Sequence, residues 1–185
     1  MWRLTLVFAD IAFHRRGPDE LPASQFLFVL ILVSYVVVGL LSLLFSEPTA
    51  RLLSINIFGF SLYLGYIGLI ILETSLDILF VWGTLKIFNH SKRFFQTATA
   101  LFGVLALLGV IRIPVLVWIE AVREVGNEPT TGVFVYLALF LWTIDVAGFI
   151  LAKATQNKYF VGVLISTGYV MVSFSLRDYM FPVTG

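Results

Sequence analysis

Four charged side chains lie inside strongly apolar stretches of the sequence: Glu73, Asp77, Arg112 and Asp145. A charge at the centre of a membrane helix costs about 2.5 to 3.5 kcal/mol on insertion scales, so each of these residues needs a partner or a task. Glu73 and Asp77 are one helical turn apart and therefore share a helix face. The simplest arrangement turns all four into a bundle interior, with Arg112 paired to one carboxylate and the others protonated or hydrogen-bonded to Ser, Thr and Tyr hydroxyls.

Two kinds of chemistry fit this intramembrane polar cluster. In the first, the carboxylates load and release protons or ions, as in a relay. In the second, they form a polar knot that fixes helix register, because helices in lipid associate through packing and hydrogen bonds rather than hydrophobicity. We favour the knot, since the sequence has no pair of discontinuous spans that would mark a substrate site.

Other chemistry is not indicated. The two histidines, His14 and His90, lack metal-ligand spacing with other donors, and we expect them to be solvated loop residues without a metal. The chain has no cysteine, and it contains no phosphate-binding loop, nucleophile elbow, zincin or kinase signature. We therefore expect neither an enzyme nor a bound cofactor. A net charge of +1 without a basic run also argues against a nucleic-acid partner.

The composition identifies the medium in which these residues lie. The 185 residues are 59% hydrophobic and 12% charged, with a mean hydropathy of +0.98. Soluble domains are about 45–50% apolar and about 25% charged. The sequence thus predicts an all-α integral membrane protein, a polytopic helical bundle whose partners are the lipid bilayer and other membrane proteins or further copies of itself.

Five transmembrane helices are predicted from runs of about 20 apolar residues. The difficult stretch is 52–88, which is too long for one span and too short for two. We assign 52–60 to an interfacial segment, with a re-entrant hairpin as the alternative. Pro and Gly punctuation and polar loops set the other boundaries. The spans are 26–45, 61–85, 95–118, 133–152 and 159–176, preceded by an arm at 1–25 and followed by a tail at 177–185.

Loop charges predict the orientation, because loops rich in Lys and Arg stay on the cytoplasmic side. Eight basic residues lie in the arm, the second loop and the fourth loop, against three in the first loop, the third loop and the tail. The second loop contributes Lys86, Lys92 and Arg93 to the eight, and together with His90 these residues form a basic loop. The N-terminus is therefore expected in the cytoplasm and the C-terminus outside.

The N-terminal arm is predicted to form a short helix in the cytoplasmic interface. Arg3, Asp10 and His14 fall on one narrow stripe of a helical wheel, and apolar residues cover most of the remainder. Trp2, Arg3, Arg15 and Arg16 would anchor this helix at the membrane surface. The alternative is a flexible arm. The arm also lacks the small-residue cleavage pattern of a signal peptide.

The segment 76–114 resembles the central hairpin of the Yip family (Ypt/Rab-interacting protein-like). A hydrophobic helix runs into Lys86-Ile87-Phe88 and a basic turn, then Arg93-Phe94-Phe95-Gln96-Thr97 leads into a helix with a late proline, ending at Ile113-Pro114. This resemblance implies a five-helix membrane bundle that works without enzymatic activity, as an adaptor or accessory partner of other membrane machinery. Eukaryotic members are associated with Rab GTPases, but this chain has a much shorter arm, so the resemblance implies a compact member of the prokaryotic inner membrane.

Overall fold

A computed structural model describes residues 2–44 and 62–180, and helices are the only regular secondary structure in those ranges. Two short 3-10 turns, Pro18–Glu20 and Ser91–Arg93, lie between the longer elements. The helices are α1 (Trp2–Ala12), α2 (Gln25–Leu44), α3 (Leu62–Ile87), α4 (Phe94–Glu124), α5 (Thr130–Thr155) and α6 (Tyr159–Met180).

Four helices in the described ranges are long and apolar enough to cross a membrane: α2, α4, α5 and α6. The helix α3 has 26 residues and begins one residue after the predicted start of the second span, but it carries Glu73, Asp77 and Lys86 and is not among the four. The predicted interfacial segment at 52–60 lies outside the described residues.

Helix α4 is the centre of the bundle. Every residue from Thr97 to Val104 is buried, on all faces of the helix, because α1, α2 and α5 pack around it. Phe102 is completely buried and contacts the ring of Tyr35, with 5.0 Å between ring centroids. This segment can be buried on every face because it carries no charge and many of its residues are small, namely Ala, Thr and Gly.

The expectation that α4 ends near Pro114 or Trp118 is wrong, because the helix continues to Glu124 with Pro114 inside it. Apolar residues follow the proline, and a membrane helix tolerates an internal proline when neighbouring groups satisfy the freed backbone carbonyl. A hydrogen bond of 2.7 Å between Arg123 and Glu120 lies in the last turn, where a basic side chain also suits the helix dipole. The connection to α5, at 125–129, is therefore shorter than the segment between the predicted spans 95–118 and 133–152.

The N-terminal arm packs on the protein. One side of α1, formed by Phe8, Ile11 and Ala12, is buried against α4 and α5. The ring of Phe8 occupies the space over Gly103 that any larger residue would fill. The bundle thus covers part of the apolar surface of the predicted interfacial helix, whereas Leu6 and Phe13 remain exposed. The absence of a side chain at Gly103 leaves the recess in α4 that the Phe8 ring fills.

Candidate functional site

The principal polar site joins three helices through Asp77. The hydroxyl of Tyr35 in α2 donates to Oδ2 of Asp77 at 2.8 Å, and the hydroxyl of Tyr169 in α6 donates to Oδ1 at 2.5 Å. Each of these residues lies ten positions from one end of its helix: Tyr35 from the start of α2, Asp77 from the end of α3 and Tyr169 from the start of α6. The N-terminal arm and the loops at 88–93 and 156–158 adjoin these three helix ends. At about 1.5 Å per residue this is about 15 Å into the bundle, or half of a hydrocarbon core of about 30 Å.

Aromatic packing holds the two tyrosines in place. The ring of Tyr169 stacks on Phe80 of α3, with centroids 3.9 Å apart and planes 14° from parallel. Tyr35 packs against Phe102 of the central helix. Because both rings are fixed, their hydroxyls reach Asp77 from two sides without the entropy loss of ordering a mobile side chain.

A cavity of about 190 Å³ lies beside this site, between α2, α3, α5 and α6. Glu73, one turn from Asp77, lines it together with Asp77 and both tyrosines, so the predicted shared face of the two carboxylates is confirmed. The remaining wall is mostly apolar, and it consists of Leu72, Leu76, Phe140, Val170, Ser173, Phe174 and Leu176.

Asp145 belongs to a second, separate polar site. Its Oδ2 lies 3.3 Å from Nε2 of His14, and its Oδ1 accepts a hydrogen bond from the hydroxyl of Tyr159. The His14 ring also packs on Phe149, with centroids 4.4 Å apart. His14 is an exposed residue of the turn after α1, where its backbone has a left-handed φ of 58°. Its contacts with Asp145 and Phe149 on α5 were not predicted from the sequence.

Arg112 does not join either carboxylate. Among the described residues it forms no ion pair with Asp77 or Asp145, two of the three carboxylates that were predicted as its possible partners. Arg112 lies 18 positions into α4, or about 27 Å, whereas Asp77 lies at about 15 Å in the same direction. An axial offset of about 12 Å exceeds the reach of an arginine side chain, so helix register, and not charge, decides this contact.

The basic residues near the loops make local contacts. Lys86 Nζ lies 4.5 Å from the centre of the Trp82 ring, and Nδ1 of His90 is 2.6 Å from the carbonyl oxygen of Phe88. Arg93 donates to the carbonyl of Lys153 at 3.5 Å, which links the two loop regions. Lys92 is exposed in the 3-10 turn.

Two of the four predicted anchor residues of the arm also make contacts within the arm. Arg16 forms ion pairs with Asp10 at 3.0 Å and Glu20 at 3.6 Å, so it stabilises the arm itself. Arg15 lies 5.8 Å from the centre of the Phe13 ring. The side chains of Trp2 and Arg3 lie outside the described part of the structure.

The sequence pattern missed the tyrosines as specific partners of the carboxylates. A Tyr inside an apolar run is a usable signal, because its hydroxyl needs a hydrogen-bond partner at membrane depth. No group of three His, Cys, Asp or Glu residues that could hold a metal ion occurs in the described ranges.

These observations define a class: an all-helical protein with four helices long and apolar enough to cross a membrane and with carboxylates bound by tyrosines between them. Comparisons with protein-family models, curated proteins and solved structures find no match to this chain.

Proposed function

We propose that this chain is a non-enzymatic integral membrane protein of the Yip-like type, with five transmembrane helices, that acts as an adaptor or accessory subunit of other membrane machinery. Its place would be the inner membrane of a prokaryote, with the N-terminus in the cytoplasm and the C-terminus outside. Its partner would be another membrane protein or a second copy of the chain.

The observation that carries this proposal is that Asp77 and Asp145 connect separate helices through hydrogen bonds. Asp77 ties α3 to α2 and α6, and Asp145 ties α5 to the arm and to the start of α6. A carboxylate that accepts hydrogen bonds from two fixed tyrosines is held in one position, which suits a structural role. It does not need to move a proton for the bundle to benefit from it.

Two substitutions at Asp77 test the connector role. Asn has nearly the same shape, and it can accept from one tyrosine and donate to the oxygen of the other, so Asp77→Asn should leave thermal stability almost unchanged. Asp77→Ala leaves both hydroxyls without this acceptor, and each lost hydrogen bond costs about 0.6 to 1.7 kcal/mol in a membrane protein. Thermal unfolding in detergent measures both.

A second candidate function is a small transporter or a proton- or ion-translocating component. The cavity beside Asp77 and Glu73 favours it, because carboxylates that line an internal cavity at membrane depth are the usual groups of such pathways. The measurement is proton flux in proteoliposomes under a pH gradient. The adaptor proposal expects no flux above that of empty vesicles, whereas flux that Asp77→Asn abolishes without loss of stability would replace it with the second candidate.

A further inference from the structure

Asp77 and the two tyrosines beside the cavity can offer a ligand only hydrogen-bond acceptors. The hydroxyl protons of Tyr35 and Tyr169 both go to Asp77, so their phenolic oxygens face further contacts as acceptors only. A carboxylate has about four lone-pair positions, and the two tyrosines fill two of those on Asp77. The lining residues in the described chain include Glu73 but no Lys, Arg or His.

One further hydroxyl belongs to the same wall. Ser173 lies one helical turn from Tyr169, and its side-chain oxygen is buried. The Ser173 hydroxyl interacts with the Tyr169 hydroxyl, so it extends the polar side of the cavity that Asp77 and the two tyrosines form.

The rest of the cavity wall favours a ligand with an apolar body. It is mostly apolar, and the rings of Phe140 and Phe174 meet edge to face with centroids 6.0 Å apart. A cavity of about 150 Å³ is known to hold benzene, so about 190 Å³ leaves room for one small ring and a head group. Aromatic faces also attract cations.

We propose that this cavity binds a small organic ammonium ion. The ammonium group donates to Asp77 and to the phenolic oxygens of Tyr35 and Tyr169, and the apolar body lies against the rings of Phe140 and Phe174. An ammonium group fits because it carries three donors and no acceptor, the reverse of the wall that faces it. The positive charge also compensates a carboxylate that is otherwise costly to bury.

This site goes beyond an adaptor role and does not depend on it. An accessory protein can bind a small cation without moving it, and a flux measurement would not detect such binding. Conversely, the absence of binding would leave the connector role of Asp77 intact, because the tyrosine hydrogen bonds stand without a ligand.

The test uses the full chain in nanodiscs of phosphatidylcholine, with empty nanodiscs as reference and isothermal titration calorimetry as readout. The probes are benzylammonium, which is charged at neutral pH, and benzyl alcohol, which has a similar body without charge. We expect benzylammonium to bind the protein at least about tenfold more tightly than benzyl alcohol. Equal affinities, or no binding beyond that of empty nanodiscs, would overturn the proposal without any variant.

Two matched variants test whether the probe binds in the cavity beside Asp77. Asp77→Asn should lower benzylammonium affinity about tenfold and leave benzyl alcohol unchanged, since only the charge is lost. Asp145→Asn is the control, because Asp145 belongs to the other polar site and does not line the cavity. If Asp145→Asn weakened benzylammonium as much as Asp77→Asn, binding would follow overall charge and the cavity assignment would be wrong.

Discussion

Helices α5 and α6 approach each other closely at Gly148 and Gly162. A Cβ atom added at Gly148 would come 2.7 Å from Cα and 2.8 Å from the backbone nitrogen of Val163. A Cβ at Gly162 would overlap the carbonyl oxygen of Gly148. Both obstacles are backbone atoms, so a rotamer change cannot relieve them. We therefore predict that Gly148→Ala separates the two helices and destabilises the bundle.

The magnitude follows from these distances. Nonbonded carbons prefer about 3.5 to 4.0 Å, so α5 and α6 must move about 1 Å apart at this point. Overpacking of this kind costs about 1 to 3 kcal/mol, and Ala repays about 1 kcal/mol of that through its better helix propensity. Gly168→Ala is the matched control on α6, because nothing lies within 4 Å of the added Cβ. We expect it to be neutral or to stabilise by up to about 1 kcal/mol.

The measurement is reversible unfolding in mixed micelles, followed by circular dichroism, for the wild type and both variants. The predicted separation between Gly148→Ala and Gly168→Ala is about 1 to 3 kcal/mol. If Gly148→Ala were as stable as Gly168→Ala, the two helices would not approach as closely as described. The hydrogen bond of 3.0 Å from Ser166 to the carbonyl of Ile144 would then also require revision, because it spans the same interface.

Three further predictions concern the arm and the topology. Gly103→Leu fills the recess that holds the Phe8 ring, so it should release α1 and increase protease cleavage of residues 2–24, whereas unchanged cleavage would show that the arm is held elsewhere. Trp142→Phe removes the 3.1 Å hydrogen bond to the carbonyl of Ala12 and should cost about 1 kcal/mol in unfolding free energy; a stability equal to the wild type would assign that contact no net value. A reporter fused after Gly185 should report a non-cytoplasmic location, and a cytoplasmic signal would contradict five spans with the N-terminus inside.

Much of the local structure follows from the sequence because its causes are local. Apolar runs and polar loops placed the five long helices within a few residues, except at the end of α4, which was predicted at residue 118 and lies at Glu124. The four-residue spacing of Glu73 and Asp77 was enough to put both on the wall of one cavity, since a helix repeats every 3.6 residues.

The polar contacts between helices could not be predicted from the sequence in the same way. Asp77, Arg112 and Asp145 were grouped because opposite charges in a low-dielectric medium attract, but attraction acts only between groups that the helix packing brings within reach. The axial offset of about 12 Å between Arg112 and Asp77 comes from how α3 and α4 are joined and packed. The neutral hydroxyls of Tyr35 and Tyr169 are at the right depth and on the right sides, and they bind the carboxylate instead.

The sequence by itself determined that this chain is helical, apolar and marked by a few buried carboxylates, because composition and helical period are properties of consecutive residues. Only the tertiary structure decided which side chains meet. It placed Phe8 over Gly103 and His14 beside Asp145, and it divided the three carboxylates between two sites. Those contacts depend on the relative depth and rotation of separate helices, which small residues and close packing set across distances of a hundred residues or more along the chain.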